Sequence, residues 1–167
     1  MERYQHQVEQ ALPTALRQGM LGWQVDDVKI TLIDGEHHLV HTHPLDFIVC
    51  TPIALMDGLR RGGSVLLEPM MRLRITAPEG YLGRLVSETA AMGGEVEATE
   101  VRGGVLRMVS HAPLANCMNF SQRLAALTSG SGALSMELCG YRDCAFDESK
   151  RCPRKSVHPL DVSKYIL

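Results

Sequence analysis

Four histidines within seven residues are the densest group of chemically capable side chains in this chain: His37, His38, His41 and His43, beside Glu36 and flanking Leu39-Val40. Imidazoles two to four residues apart on a bend can share a metal ion. They can also stack on nucleobases and donate to phosphate, with an ordinary pKa near ~6.5. A third reading is a polar exposed loop that gathers histidines by chance. Five cysteines (Cys50, Cys117, Cys139, Cys144 and Cys152) form a second set, odd in number and irregular in spacing. Reduced, buried or incidental thiols suit a cytosolic chain. A zinc site drawn from Cys139, Cys144, Cys152 and His158 is the alternative, although the spacing from Cys139 to Cys144 is wider than in the usual zinc-binding pair.

Other reaction chemistry finds little support. The chain contains no Gly-x4-Gly-Lys-Ser/Thr phosphate loop, so it has no such means of gripping a nucleoside triphosphate. There is no His-Glu-x-x-His motif, paired-carboxylate spacing or Ser-His-Asp order. Gly130-Ser131-Gly132 is too little of a Gly-x-Ser-x-Gly elbow to mark a nucleophile. The expectation is a chain that binds rather than catalyses.

Charge narrows the partner. Net charge is −2 over 167 residues, but residues 149–167 carry 5 basic side chains against 1 acidic. Lys150, Arg151, Arg154 and Lys155 are therefore candidate phosphate contacts, and neutralising four phosphates gives a log–log salt slope of about −3 to −4. The other reading is a solvated tail. Aromatic residues at 5% are too few for a base-stacking platform. No stretch has the ~18 uncharged apolar residues of a membrane span, and the N-terminus lacks the pattern of a signal peptide, so the expected location is cytoplasmic.

These residues need elements to hold them. Tyr4, Val8, Ala11, Leu12, Ala15, Leu16 and Met20 recur at helical spacing over 4–20, with Pro13 as a break or kink and Gly19 and Gly22 as the stop. Val28, Ile30 and Leu32 alternate with Asp27, Lys29 and Thr31, which predicts a half-buried strand over 25–33. Asp34-Gly35 predicts a tight turn and 36–41 a short returning strand. His43-Pro44 opens a helix over about 45–61, bent at Pro52 and stopped by Gly62-Gly63. This first unit has a thin core, and further strands are expected upstream of it.

A second unit follows the Glu68-Pro69 hinge. The pattern predicts a strand at 70–77, a helix at 79–92 with Pro78 at its first position, and strands at 95–101 and 104–112 about an Arg102-Gly103 turn. A helix at 117–128 capped by Asn116 and a strand at 133–141 complete it. Leu73, Ile75, Leu82, Leu85, Val105, Leu124 and Leu134 are its expected core. The order β-α-β-β-α-β is that of ferredoxin-like folds. Residues 145–158 read as a polar linker and 160–167 as a final helical turn. The fold class is therefore α+β with two small domains: a partial β-α-β rod-like unit at 1–67 and a ferredoxin-like unit at 68–144. A basic extension with a tail helix follows at 145–167.

Three segments carry a family likeness in order. Asp27-Val28-Lys29-Ile30-Thr31-Leu32-Ile33-Asp34-Gly35-Glu36-His37-His38 resembles the run into the tip loop of the fourth domain of elongation factor G-type translational GTPases, with His38 at the tip-histidine position. Leu66-Leu67-Glu68-Pro69 resembles the junction into their fifth domain. Leu127-Thr128-Ser129-Gly130-Ser131-Gly132-Ala133-Leu134-Ser135-Met136-Glu137 resembles that domain's last helix, turn and strand. Within the superfamily, the chain is most similar to the tetracycline-resistance ribosomal protection proteins. That likeness rests on Gly19-Met20-Leu21-Gly22-Trp23, Pro44-Leu45-Asp46-Phe47, Cys152-Pro153-Arg154 and Asp161-Val162-Ser163-Lys164-Tyr165. The tip departs from them, with Leu39-Val40-His41 where they have Ser-Pro-Val.

The resemblance implies a ribosome-binding fragment whose loop Glu36, His37, His38, Leu39, Val40, His41 and His43 enters the decoding region and contacts small-subunit rRNA near the A site. It implies no cofactor in this fragment, with GTP and Mg held by GTPase domains elsewhere in the parent, and no membrane partner. Docking is expected to weaken between about pH 6 and 8 as imidazoles lose protons. An elongation factor G-like translocation fragment and a small metal-binding or regulatory module are the alternatives.

Overall fold

The computed structural model describes residues 2–166, which divide into two compact units. Of these, the first unit takes the residues up to Leu66 together with those from Ala145 on, and the second takes 67–144. The segment expected to be a linker is therefore part of the first unit.

In the first unit, helix α1 (Glu2–Ala15) and helix α2 (Pro44–Gly62) pack together. Tyr4, Ala11, Ala15 and Met56 are buried between them. Pro13 lies inside α1 close to its C-terminal end, where it has no N–H to give the Glu9 carbonyl. The helix stops at Ala15, short of the expected residue 20. From there the chain bends back, with bonds from the Val25 N–H to the Leu16 carbonyl (2.8 Å) and from the Gly19 N–H to the Trp23 carbonyl (2.7 Å). Helix α2 begins with Pro44 at its first position, and the Asp46 carboxylate accepts from the His43 N–H at 2.8 Å. It runs through the buried Pro52 to Gly62.

The strands expected at 25–33 and 36–41 do not form. Residues 28–38 are irregular, and Val28, Ile30 and Leu32 are each about 40% exposed. Alternation supplies a face, but a strand also needs a neighbour for its backbone groups. Among the described residues the sheet belongs to the second unit, apart from Leu66 at the start of its first strand. Asp34-Gly35 makes only a local bond, with the Gly35 N–H donating to the Asp34 carboxylate at 2.7 Å. The chain turns farther on, at 39–41.

The second unit is a four-stranded antiparallel sheet in the order β2-β3-β1-β4. Its strands are β1 (Leu66–Pro78), β2 (Glu95–Arg102), β3 (Val105–Pro113) and β4 (Ala133–Cys144). Leu73 pairs with Ser110 and Ile75 with Met108, while β2 and β3 form a hairpin about Gly103-Gly104. Alternation decides the face. Leu73, Ile75 and Ala77 with Leu106, Met108 and Ala112 point to one side. There they meet Leu85 and Met92 of the α3 region (Leu82–Ala91) and Leu124 and the fully buried Phe120 of α5 (Phe120–Leu127). Val105, expected in the core, is 42% exposed because it is in register with Arg102 on the opposite side.

Two helix boundaries differ from expectation. Pro78 ends β1, and a 3-10 turn at Glu79–Tyr81 precedes α3. The expected helix 117–128 is split into a single turn α4 (Leu114–Cys117) and α5. Asn116 does not cap it: its side-chain amide donates to the Met92 carbonyl at 2.9 Å, tying α4 to the end of α3.

Candidate nucleic-acid interface

The histidine loop joins the irregular segment to α2, and its apex is exposed. Leu39 and Val40 are 80% and 71% exposed. The Thr42 N–H donates to the His38 carbonyl at 3.0 Å, and the His38 N–H donates to the Thr42 hydroxyl at 2.8 Å. These reciprocal bonds close five residues into a tight cap. The imidazoles of His38 and His41 stack at 4.8 Å with their planes 21° apart. His38 Nδ1 accepts from the Val40 N–H at 3.3 Å. His37 points the other way, meeting the Tyr4 ring edge-on at 5.3 Å. His43 and Glu36 are exposed. The four histidines therefore do not converge. Two form a stack beside an apolar apex, one packs at the root, and one begins α2.

Among the described residues no group of three or more His, Cys, Asp or Glu side chains is arranged to hold a metal ion. Cys139 lies in the second unit, where its thiol contacts the Met70 carbonyl, and Cys152 lies in the first. Burial pushes the Cys50 and Cys117 thiols up, opposite to what a reactive thiolate needs.

The basic extension is anchored by its own cations. Arg154 is half-buried, and both terminal nitrogens donate to the Gln18 carbonyl, at 2.6 and 2.9 Å. Burial lowers its pKa, as expected for a guanidinium taken out of water. Arg151 donates to Glu148 at 2.8 Å and to the Met20 carbonyl at 3.2 Å, and lies over the Phe146 ring. Its bond to Glu148 holds that carboxyl below its ordinary range. The Lys150 ammonium donates to the Ala145 carbonyl at 2.8 Å. Lys155 donates its backbone N–H to the Gln18 side chain at 3.0 Å. Arg154, an expected phosphate contact, has a structural partner in the Gln18 carbonyl.

Three further bonds add to this anchorage, one of them from the Gln18 side-chain amide to the Pro153 carbonyl at 3.2 Å. The Trp23 indole N–H donates to the Lys150 carbonyl at 2.7 Å, and the Cys152 N–H donates to the Leu21 carbonyl at 3.1 Å. Gly22, at φ +82°, lies under the Cys152 carbonyl with no room for a Cβ. His158 is half-buried; burial and the neighbouring Arg154 lower its pKa, and Asp161 opposes them. Sequence reasoning missed this seam. Its signal was present in Gly22 and Trp23, which were read only as a helix stop and a family mark.

On the outer face of the sheet, Arg72, His111, Tyr141 and Arg142 border a shallow recess. Its arginines are engaged: Arg142 pairs with Glu68 at 2.8 Å, and Arg72 lies near Glu97 and Glu137. It offers no free cationic groove. No helix among the described residues is long and apolar enough to cross a membrane.

Comparison with known proteins yields two family matches that run along the chain in sequence. Residues 1–63 match the family described as elongation factor G, domain IV, and residues 65–152 match elongation factor G C-terminus. The chain is also similar to a protein from Thermus thermophilus solved by crystallography. The TM-score is 0.79 at 29% identity, over 85% of this chain and 22% of that one. The chain thus spans about a fifth of the length of that relative.

Proposed function

This chain belongs to the elongation factor G family, through its domain IV and its C-terminal domain, and on that premise we propose that it is the ribosome-facing part of a translational GTPase of the ribosomal protection class. The closed cap at 38–42 enters the decoding region near the A site, with Leu39, Val40 and the stacked imidazoles of His38 and His41 against small-subunit rRNA. GTP and Mg belong to GTPase domains elsewhere in the parent, since this sequence has no phosphate loop. The chain itself acts by shape and contact and breaks no bonds.

The seam between residues 18–25 and 150–155 is the observation that carries the protection-class reading. Gly19-Met20-Leu21-Gly22-Trp23 and Cys152-Pro153-Arg154 are separately similar to protection proteins, and in the fold they adjoin: the Cys152 N–H bonds the Leu21 carbonyl, while Arg154 and Trp23 bond the neighbouring Gln18 and Lys150. Two distant marks of the class are thus one structural feature. The apex supports the loop's role: an apolar, imidazole-flanked cap can enter an RNA cleft without adhering to every phosphate.

The test is to express the parent gene in a tetracycline-susceptible bacterium. Growth in the drug, lost when 38–42 is replaced by a glycine-serine loop, supports the reading. No gain in tolerance from a well-expressed parent overturns it. The Leu39-Val40-His41 apex, which departs from the protection pattern, favours a general translocation role as the second reading. Rescue of a translocation-deficient strain without drug tolerance selects that role.

A further inference from the structure

Tyr4 joins the two ends of the cap to the helical body. It is 4% exposed and lies on α1, far in sequence from the loop. Its ring stacks on Phe47 of α2, with centroids 4.6 Å apart and planes 14° from parallel. The same ring takes His37 edge-on at 5.3 Å and 69°. Its hydroxyl donates to the Thr42 carbonyl at 3.2 Å. One side chain therefore touches the residue before the cap, the last residue of the cap, and the first turns of the next helix.

We infer that Tyr4 is the positioning residue of the loop at 37–43, fixing the direction in which the cap projects. The inference rests on the reading of that loop as the docking element. The bonds between His38 and Thr42 close the cap on itself, but they do not tie the closed unit to α1. Tyr4 restrains both stems at once, using a rigid ring with only two side-chain torsions. Contacts of that kind lower the ordering cost of docking.

Tyr4→Phe and Tyr4→Leu in the 167-residue chain test this. The readouts are heteronuclear NOEs at the His38, Val40 and Thr42 amides and the ring-current shift of His37, with the thermal midpoint as a control for folding. Tyr4→Phe is expected to keep the His37 shift and lower the order at Val40 and Thr42. Tyr4→Leu is expected to lose both. Unchanged loop order and an unchanged His37 shift in a folded Tyr4→Leu overturn the inference. If that variant does not fold, unchanged order at Thr42 in Tyr4→Phe does so. In the parent protein, a loop competent for only about a tenth of the time weakens ribosome binding by about tenfold. A loosened loop with undiminished ribosome affinity upholds Tyr4 as the positioning residue and refutes the docking function proposed above.

Discussion

Replacing Arg154 with alanine is expected to release the C-terminal extension from the first unit. Arg154 supplies two short charged hydrogen bonds to the Gln18 carbonyl, at 2.6 and 2.9 Å, and a longer approach to the Gly19 carbonyl at 3.5 Å. Hydrogen bonds from charged groups are worth roughly 1.5–3 kcal/mol net, so with the guanidinium's own desolvation opposing them, we expect a loss of about 2 kcal/mol in docking. That is a factor of about 30 in the docking equilibrium. Arg154→Lys should recover only part of it, because an ammonium cannot present two fork nitrogens to one carbonyl. Trp23 is the sole tryptophan of the chain, and its indole bonds to the Lys150 carbonyl, so its emission reports docking directly. Trypsin gives a second reading at Lys150, Arg151 and Lys155. When reclosure is faster than cleavage, the rate follows the open population and should also rise about 30-fold. Unchanged Trp23 emission and unchanged cleavage in Arg154→Ala, with the rest of the fold intact, would refute the assignment of Arg154 as the anchor.

The same seam is expected to be acid-sensitive. The folded pKa of His158 is depressed, chiefly by burial, so the undocked segment binds a proton more readily. Docking is therefore strongest above the ordinary histidine pKa of about 6.5 and is lost as pH falls through the lower folded value. Protonating Nδ1 also removes the acceptor of the Leu160 N–H, now at 3.1 Å. Trp23 emission recorded from about pH 8 to pH 5 should move toward that of Arg154→Ala, and a flat profile counts against His158. Phe120→Ala, at a fully buried site, should destabilise the second unit by about 3–5 kcal/mol in denaturant unfolding. Gly94→Ala places a Cβ against the His111 carbonyl and Ala112, and should cost about 1–3 kcal/mol through overpacking. Leu39→Ala, at 80% exposure, should change stability by less than about 0.5 kcal/mol, while weakening ribosome binding by the parent.

The ferredoxin-like unit was legible from local patterning. Its central strands show a buried face with period two, and each main helix a stripe near period 3.6, so the element order follows from the residues themselves. The errors there are of boundary, as at Pro78 and Asn116, where tertiary partners chose the cap. The first unit was less legible. Val28, Ile30 and Leu32 have the alternation of a strand, yet pairing is a property of two segments, and the pattern on one does not disclose that no other segment among the described residues pairs with it.

By itself the sequence determined that residues 68–144 form a sheet with helices on one face, that no phosphate loop is present, and that a histidine cluster precedes a proline-initiated helix. Periodicity, composition and motif spacing are local, and these conclusions required nothing else. Only the tertiary structure decided that Arg154 serves the Gln18 carbonyl, that the extension returns to the first unit, and that Tyr4 grips both stems of the loop. The Arg154 bond closes over 136 residues of chain and the Tyr4 bond over 38, far beyond the reach of any local pattern. A basic side chain reads the same along the sequence whether it faces water or a buried carbonyl, and burial separates the two only after the chain has folded.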